Sequence, residues 1–186
     1  MNIDNLNDKQ KEAVMHDKGP MLVLAGAGSG KTKVLTSRIA YLIENDVSPS
    51  NILAITFTNK AAREMKERVV NLVGSDANYI QISTFHSLGL KIIKQNYELL
   101  GYDKNFTILD SDDTLTIVKK IIKELNLNPK YYNAKVIRNK ISSAKNELID
   151  PEGFSKIEFD KKIITVYKKY CEKLKKGNSV DFDDLL

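Results

Sequence analysis

Residues 21–32 read Met21-Leu22-Val23-Leu24-Ala25-Gly26-Ala27-Gly28-Ser29-Gly30-Lys31-Thr32. A short apolar run enters a glycine-rich turn, and Lys-Thr then opens a helical pattern. That is the layout of a phosphate-binding loop, in which bare backbone N–H groups point inward around a polyphosphate. The following helix offers the same anion its N-terminal partial positive charge. Lys31 is placed to reach the β- and γ-phosphates, and the Thr32 hydroxyl to ligate a bridging Mg²⁺. The general pattern G-x-x-x-x-G-K-S/T wants glycine where Ala25 stands, and alanine keeps close approach possible. The predicted ligand is ATP with Mg²⁺, and the predicted loop is Ala25, Gly26, Ala27, Gly28, Ser29, Gly30, Lys31 and Thr32.

Outward from the loop, strands and helices alternate. The patterns predict a helix over Asn7–Met15 with Asn7 as its cap, a strand over Met21–Ala25 and a helix over Lys31–Glu44. A second strand follows at Asn51–Thr56, apolar enough to be buried on both faces. Helices at Asn59–Val73 and His86–Leu100 then flank a third strand at Tyr79–Ser83, and a fourth strand lies at Phe106–Leu109. Gly74 and Gly101 punctuate the helix ends. Such alternation specifies an α/β fold with a mostly parallel sheet, whose ligands sit beyond the strands' carboxyl ends. Past Asp110 the pattern turns helical, over 111–125, 132–148 and 156–176, and no strand is expected there.

The single cysteine, Cys171, excludes an internal disulfide and a multi-cysteine zinc site, and its setting suits a partly buried apolar role. The N-terminus, Met1-Asn2-Ile3-Asp4, lacks the features of a secretory signal, and no apolar stretch is long enough to span a bilayer. A cytoplasmic location without membrane contact is expected. Charge is unevenly spread. Residues 1–110 carry 13 Lys and Arg against 12 Asp and Glu, a net of +1. Residues 119–176 carry 16 against 7, a net of +9; such a segment attracts polyanions through phosphate contacts, and lysine-rich helix faces are equally an ordinary way to stay soluble.

Several segments, in order, resemble the UvrD/Rep/PcrA branch of the superfamily 1 DNA helicases. Leu6 to Val14 is similar to that family's Q motif. Ala25 to Thr32 matches its phosphate loop, alanine included. Ile55-Thr56-Phe57-Thr58-Asn59-Lys60-Ala61-Ala62-Arg63-Glu64-Met65 resembles motif Ia, and Thr84-Phe85-His86-Ser87 the next DNA-contacting motif. Asp181-Phe182-Asp183-Asp184-Leu185 resembles the stretch where a helical insertion returns to the first RecA-like domain. The resemblance implies a parallel-sheet, RecA-like P-loop NTPase domain over 1–110, a helical, lysine-rich insertion over 111–180 and a return segment at 181–186. It also assigns Gln10 to adenine, an amide being able to donate and accept at once. Phe57 is then expected to stack on a base, Thr58 and Asn59 to bond phosphate, and Thr84 and His86 to meet the single-strand backbone. Lys33 stands where the family usually has arginine, and lysine cannot stack in the same planar way. His16 is expected at the surface.

The family's acidic Walker B pair does not occur in the sequence, and in the family it follows the Asp-Phe-Asp-Asp stretch. The expectation is an N-terminal portion of an ATP-dependent, 3′–5′ DNA helicase serving repair or replication. Its partners would be single-stranded DNA, the junction with duplex, and ATP, with Lys31 and Thr32 as the catalytic residues present. Such a portion, lacking Walker B and a second RecA-like domain, would neither unwind nor turn over ATP appreciably. The alternatives are a small P-loop nucleotide or metabolite kinase, and a nucleic-acid-binding module with a vestigial loop. Against the kinase, residues 111–180 hold one arginine, Arg138, where a lid over phosphates would need several.

Overall fold

The structure is a computed structural model that describes residues 5–186. The expectation that Met1-Asn2-Ile3-Asp4 carries no secretory signal falls on residues outside them. The chain divides into two compact units, the second being His86–Leu186.

In the first unit, helix α1 (Asp8–Met15) starts at a reciprocal cap: the Asn7 side chain accepts from Gln10 N at 2.9 Å, and Gln10 Oε1 accepts from Asn7 N at 3.0 Å. Helix α2 (Lys31–Glu44) buries Val34 against Leu6, Ala13 and Val14. Its far end joins a second core of Ile39, Ile52, Met65, Val69, Ala77 and Ile80, to which helix α3 (Asn59–Val73) contributes. Strands β1 (Leu53–Thr56) and β2 (Gln81–Thr84) pair in parallel, with Leu53 opposite Gln81 and Thr56 opposite Thr84.

Two expectations fail here. Residues 21–26 form no strand, and Leu22 and Leu24 are 84% and 87% exposed. A strand exists only by pairing, and among the described residues nothing pairs with this segment. Nor is β1 buried on both faces: Leu53 is half exposed, the apolar run being covered from one side only.

The second unit opens with most of helix α4 (Phe85–Asn96), which ends four residues short of the predicted Leu100. Strand β3 (Thr107–Leu109) pairs in parallel with β4 (Ser179–Asp181), a strand absent from the sequence reading. So the parallel strands fall into two ladders of two rather than one sheet. Helices α5 (Ser111–Glu124), α6 (Ala134–Asn146), the single turn α7 (Pro151–Phe154) and α8 (Lys161–Lys176) surround a core of Val118, Ile121, Ile137, Ile141, Val166 and Tyr167. Side-chain caps trim the predicted ends. Asn133 accepts from Lys135 N and Val136 N, and Asp160 from Lys162 N, so α6 and α8 start later than periodicity suggested.

One contact is unusually tight. A Cβ on Gly89 of α4 would lie 1.8 Å from the Leu185 carbonyl oxygen, so the closing turn at 183–185 packs directly on that glycine's backbone.

Candidate nucleotide and nucleic-acid sites

The loop keeps its shape through backbone conformations that suit glycine. Gly28 and Gly30 have φ of 73° and 87°, in the left-handed region that costs other residues free energy. Gly30 caps α2, so the free N–H groups of its first turn open onto the loop. Ser29 Oγ donates to Gly26 O at 2.7 Å. Lys31 Nζ donates to Gly26 O at 2.6 Å and Ala25 O at 3.1 Å, which holds its ammonium over the loop. Gln10 Nε2 donates to Ser29 O at 3.0 Å, tying α1 to the loop across 19 residues of sequence.

Gln10, Ala25, Gly26, Ser29 and Lys31 line one cavity of about 700 Å³, together with Arg38. Gly30 lies against Gln10, where a Cβ would approach Nε2 to 2.9 Å. Ala27, Gly28 and Thr32 do not line that cavity; Thr32 is half-buried in the first turn of α2. Arg38, which the sequence reading passed over, donates to the carbonyls of Ala13, Val14 and His16. It thereby closes the C-terminus of α1 on the cavity wall. Lys33 turns away and donates to Asn5 O at 2.6 Å. Half-buried His16 meets Gly19 O at 3.2 Å.

The second set gathers at the carboxyl ends of β1 and β2. Phe57, directly after β1, is 92% exposed, and its ring lies 6.2 Å from that of Phe85, directly after β2. Thr58 caps α3 by accepting from Ala61 N at 3.1 Å, and Asn59 is the first residue of that helix. Thr84 ends β2 and is buried. His86 belongs to the second unit, where its ring meets the edge of Phe182 at 5.7 Å. Phe85 and Phe182 are additions to the predicted set. The signal that singled out Phe57, an aromatic just past a strand, was equally present for Phe85, whereas Phe182 follows β4, which the sequence reading lacked.

Among the described residues, no group of three or more His, Cys, Asp or Glu side chains could hold a metal ion. No helix among them is long and apolar enough to cross a membrane.

The UvrD/REP helicase N-terminal domain profile matches residues 6–186. The chain is 53% identical to the ATP-dependent DNA helicase PcrA of Bacillus subtilis, over 99% of this chain and 25% of that protein. It is 48% identical to PcrA of Staphylococcus epidermidis and 47% to PcrA of Staphylococcus aureus, over 99% of this chain and 26% of each. It therefore spans about a quarter of the length of these relatives.

Proposed function

The chain belongs to the UvrD/REP helicase N-terminal domain family, and from that premise we propose that it is the ATP- and single-strand-binding portion of a DNA helicase. The observation that carries this reading is the loop itself. Lys31 sits 2.6 Å from the Gly26 carbonyl and Gln10 3.0 Å from the Ser29 carbonyl, both on the wall of one cavity. The triphosphate would lie against the loop amides and the N-terminus of α2, its negative charge met by Lys31. Thr32 would offer its hydroxyl to Mg²⁺, which when bound neutralises phosphate charge. The remaining ligands would include phosphate oxygens and water.

The finer fold reading is a RecA-like P-loop domain, residues 1–110, carrying a helical insertion at 111–180 and returning at 181–186. The parallel pairing of β1 with β2 and the glycine loop leading into α2 support it. On the DNA side, Phe57 offers a ring for an unpaired base. The N-terminus of the fifteen-residue α3, with Thr58 and Asn59, offers donors to phosphate. Thr84 at the end of β2 and His86 at the start of α4 would contact the same strand's backbone. A junction with duplex, and 3′–5′ travel, would follow in the intact protein, where a second domain couples hydrolysis to stepping.

Binding of a fluorescent ATP analogue with Mg²⁺ tests the reading. Lys31→Ala should weaken it by about tenfold or more, a loss of at least one charge-assisted bond, while anisotropy of a labelled oligothymidine stays unchanged. Equal nucleotide affinity in both proteins would overturn it. So would turnover approaching about 1 s⁻¹ by this chain, because on this reading it binds ATP without supplying a carboxylate to activate water.

A further inference from the structure

One groove of the second unit is lined by none of the residues assigned so far. It measures about 850 Å³ and runs between one face of α5 and the connection into α6. Leu115, Ile122, Leu127 and Tyr132 form its floor, and Lys119, Lys123 and Lys135 stand around it. We propose that this groove docks an acidic segment of a partner protein that inserts an apolar side chain.

Three observations support that occupant. First, the charge around the groove is uncompensated. Elsewhere in the unit three lysines find acids: Lys140 pairs with Glu158, Lys145 with Asp181 and Asp184, and Lys173 with Glu124. Among the described residues no acid pairs with Lys119, Lys123 or Lys135, and none lines the groove. Lys162 adds a further cation, 5.5 Å from the Tyr132 ring. Second, the wall is preformed. Asn126 turns the chain at φ 51°, Tyr131 N and Tyr132 N both bond Asn128 O, and Asn133 caps α6. A groove that needs no ordering loses less free energy on binding. Third, the floor is apolar and concave. Nucleic acid would answer the lysines but would present phosphates and sugars to Leu115, Ile122 and Leu127. An amphipathic acidic peptide answers both, its anchor in the groove and its carboxylates at the lysines.

The experiment uses the whole chain and three short fluorescein-labelled peptides. One carries Phe and Leu at helical spacing among Asp and Glu. In the second the apolar pair is serine, and in the third the acids are glutamine. Only the first should bind. Charge reversal at two exposed rim positions, Lys119→Glu with Lys123→Glu, should weaken it by about tenfold or more. Ala134→Trp, which fills the groove, should do the same, with thermal unfolding confirming that both variants fold. Failure of the first peptide to bind, or binding indifferent to both variants, overturns the proposal. So does a loss of DNA affinity in Ala134→Trp, which would make the groove a nucleic-acid surface. Self-association that the same variant abolishes would instead make it a contact between copies, and would equally overturn it.

Discussion

At Phe57 a large apolar ring is 92% exposed, so it adds little to the core. Phe57→Ala should therefore leave the urea midpoint nearly unmoved while costing about 1–3 kcal/mol in oligothymidine binding, the worth of a stacked base. A stability loss with unchanged DNA affinity would make it an ordinary packing residue. Gln10 is more constrained than its sequence suggests. Its amide already donates to Ser29 and accepts from Asn7, so α1, the loop and any adenine contact share one side chain. Cys171 is the reverse case. Burial pushes its thiol up to about 11, and native protein at pH 8 should label slowly with thiol reagents. Rapid labelling without denaturant would contradict the buried placement.

Between elements, the tightest packing is that of α4 on the closing turn. With only 1.8 Å between a Cβ on Gly89 and the Leu185 carbonyl, Gly89→Ala should destabilise by about 1–3 kcal/mol, the usual cost of overpacking, although alanine favours helices. An unchanged or raised melting temperature would show that the turn moves aside freely. A second joint links α6 to β4. Lys145, its side chain 10% exposed, bonds Asp181 at 2.7 Å and Asp184 at 2.8 Å, and Tyr170 Oη donates to Asp181 at 2.7 Å. Removing one partner of a buried pair leaves charge uncompensated, so Lys145→Met should cost about 3–5 kcal/mol. Burial alone would lower the Lys145 ammonium, but Asp184 and Asp181 outweigh it and hold it above its ordinary 10.5. Its contribution is thus complete below pH 10.5 and fades as pH climbs through the raised value. The acid side divides. Burial would raise Asp181, yet Lys145 and Tyr170 hold it below 3.8, giving stability that is lost as pH falls through the lowered value. Burial keeps Asp184 above 3.8, which works in the opposite sense, losing stability as pH rises past that value. The gap between wild type and Lys145→Met in urea melts should therefore close at high pH. A gap that widens there would contradict the ion pair.

Across the whole molecule, the second unit concentrates the positive charge, 16 Lys and Arg against 7 Asp and Glu over 119–176. If those lysines meet phosphate, log affinity for DNA should fall linearly with log salt, by about 0.7 per contact on a single strand and 0.9 on duplex. A flat dependence would leave them as solubilising surface. The same scale explains what could be read in advance. The glycine turn that leads into α2, the cap at Asn7 and nearly every helix were legible from residue order. A helix closes its hydrogen bonds within four residues, so period and caps suffice to specify it. Strands close theirs with segments far along the chain, and there local pattern misled. Met21–Ala25 is as apolar as β1 yet finds no partner among the described residues, while unremarkable Ser179–Asp181 becomes β4 because β3 lies beside it. Likewise the burial of Thr84, the meeting of Phe57 with Phe85 and the groove at Tyr132 arise from residues brought together over distances that no local window contains.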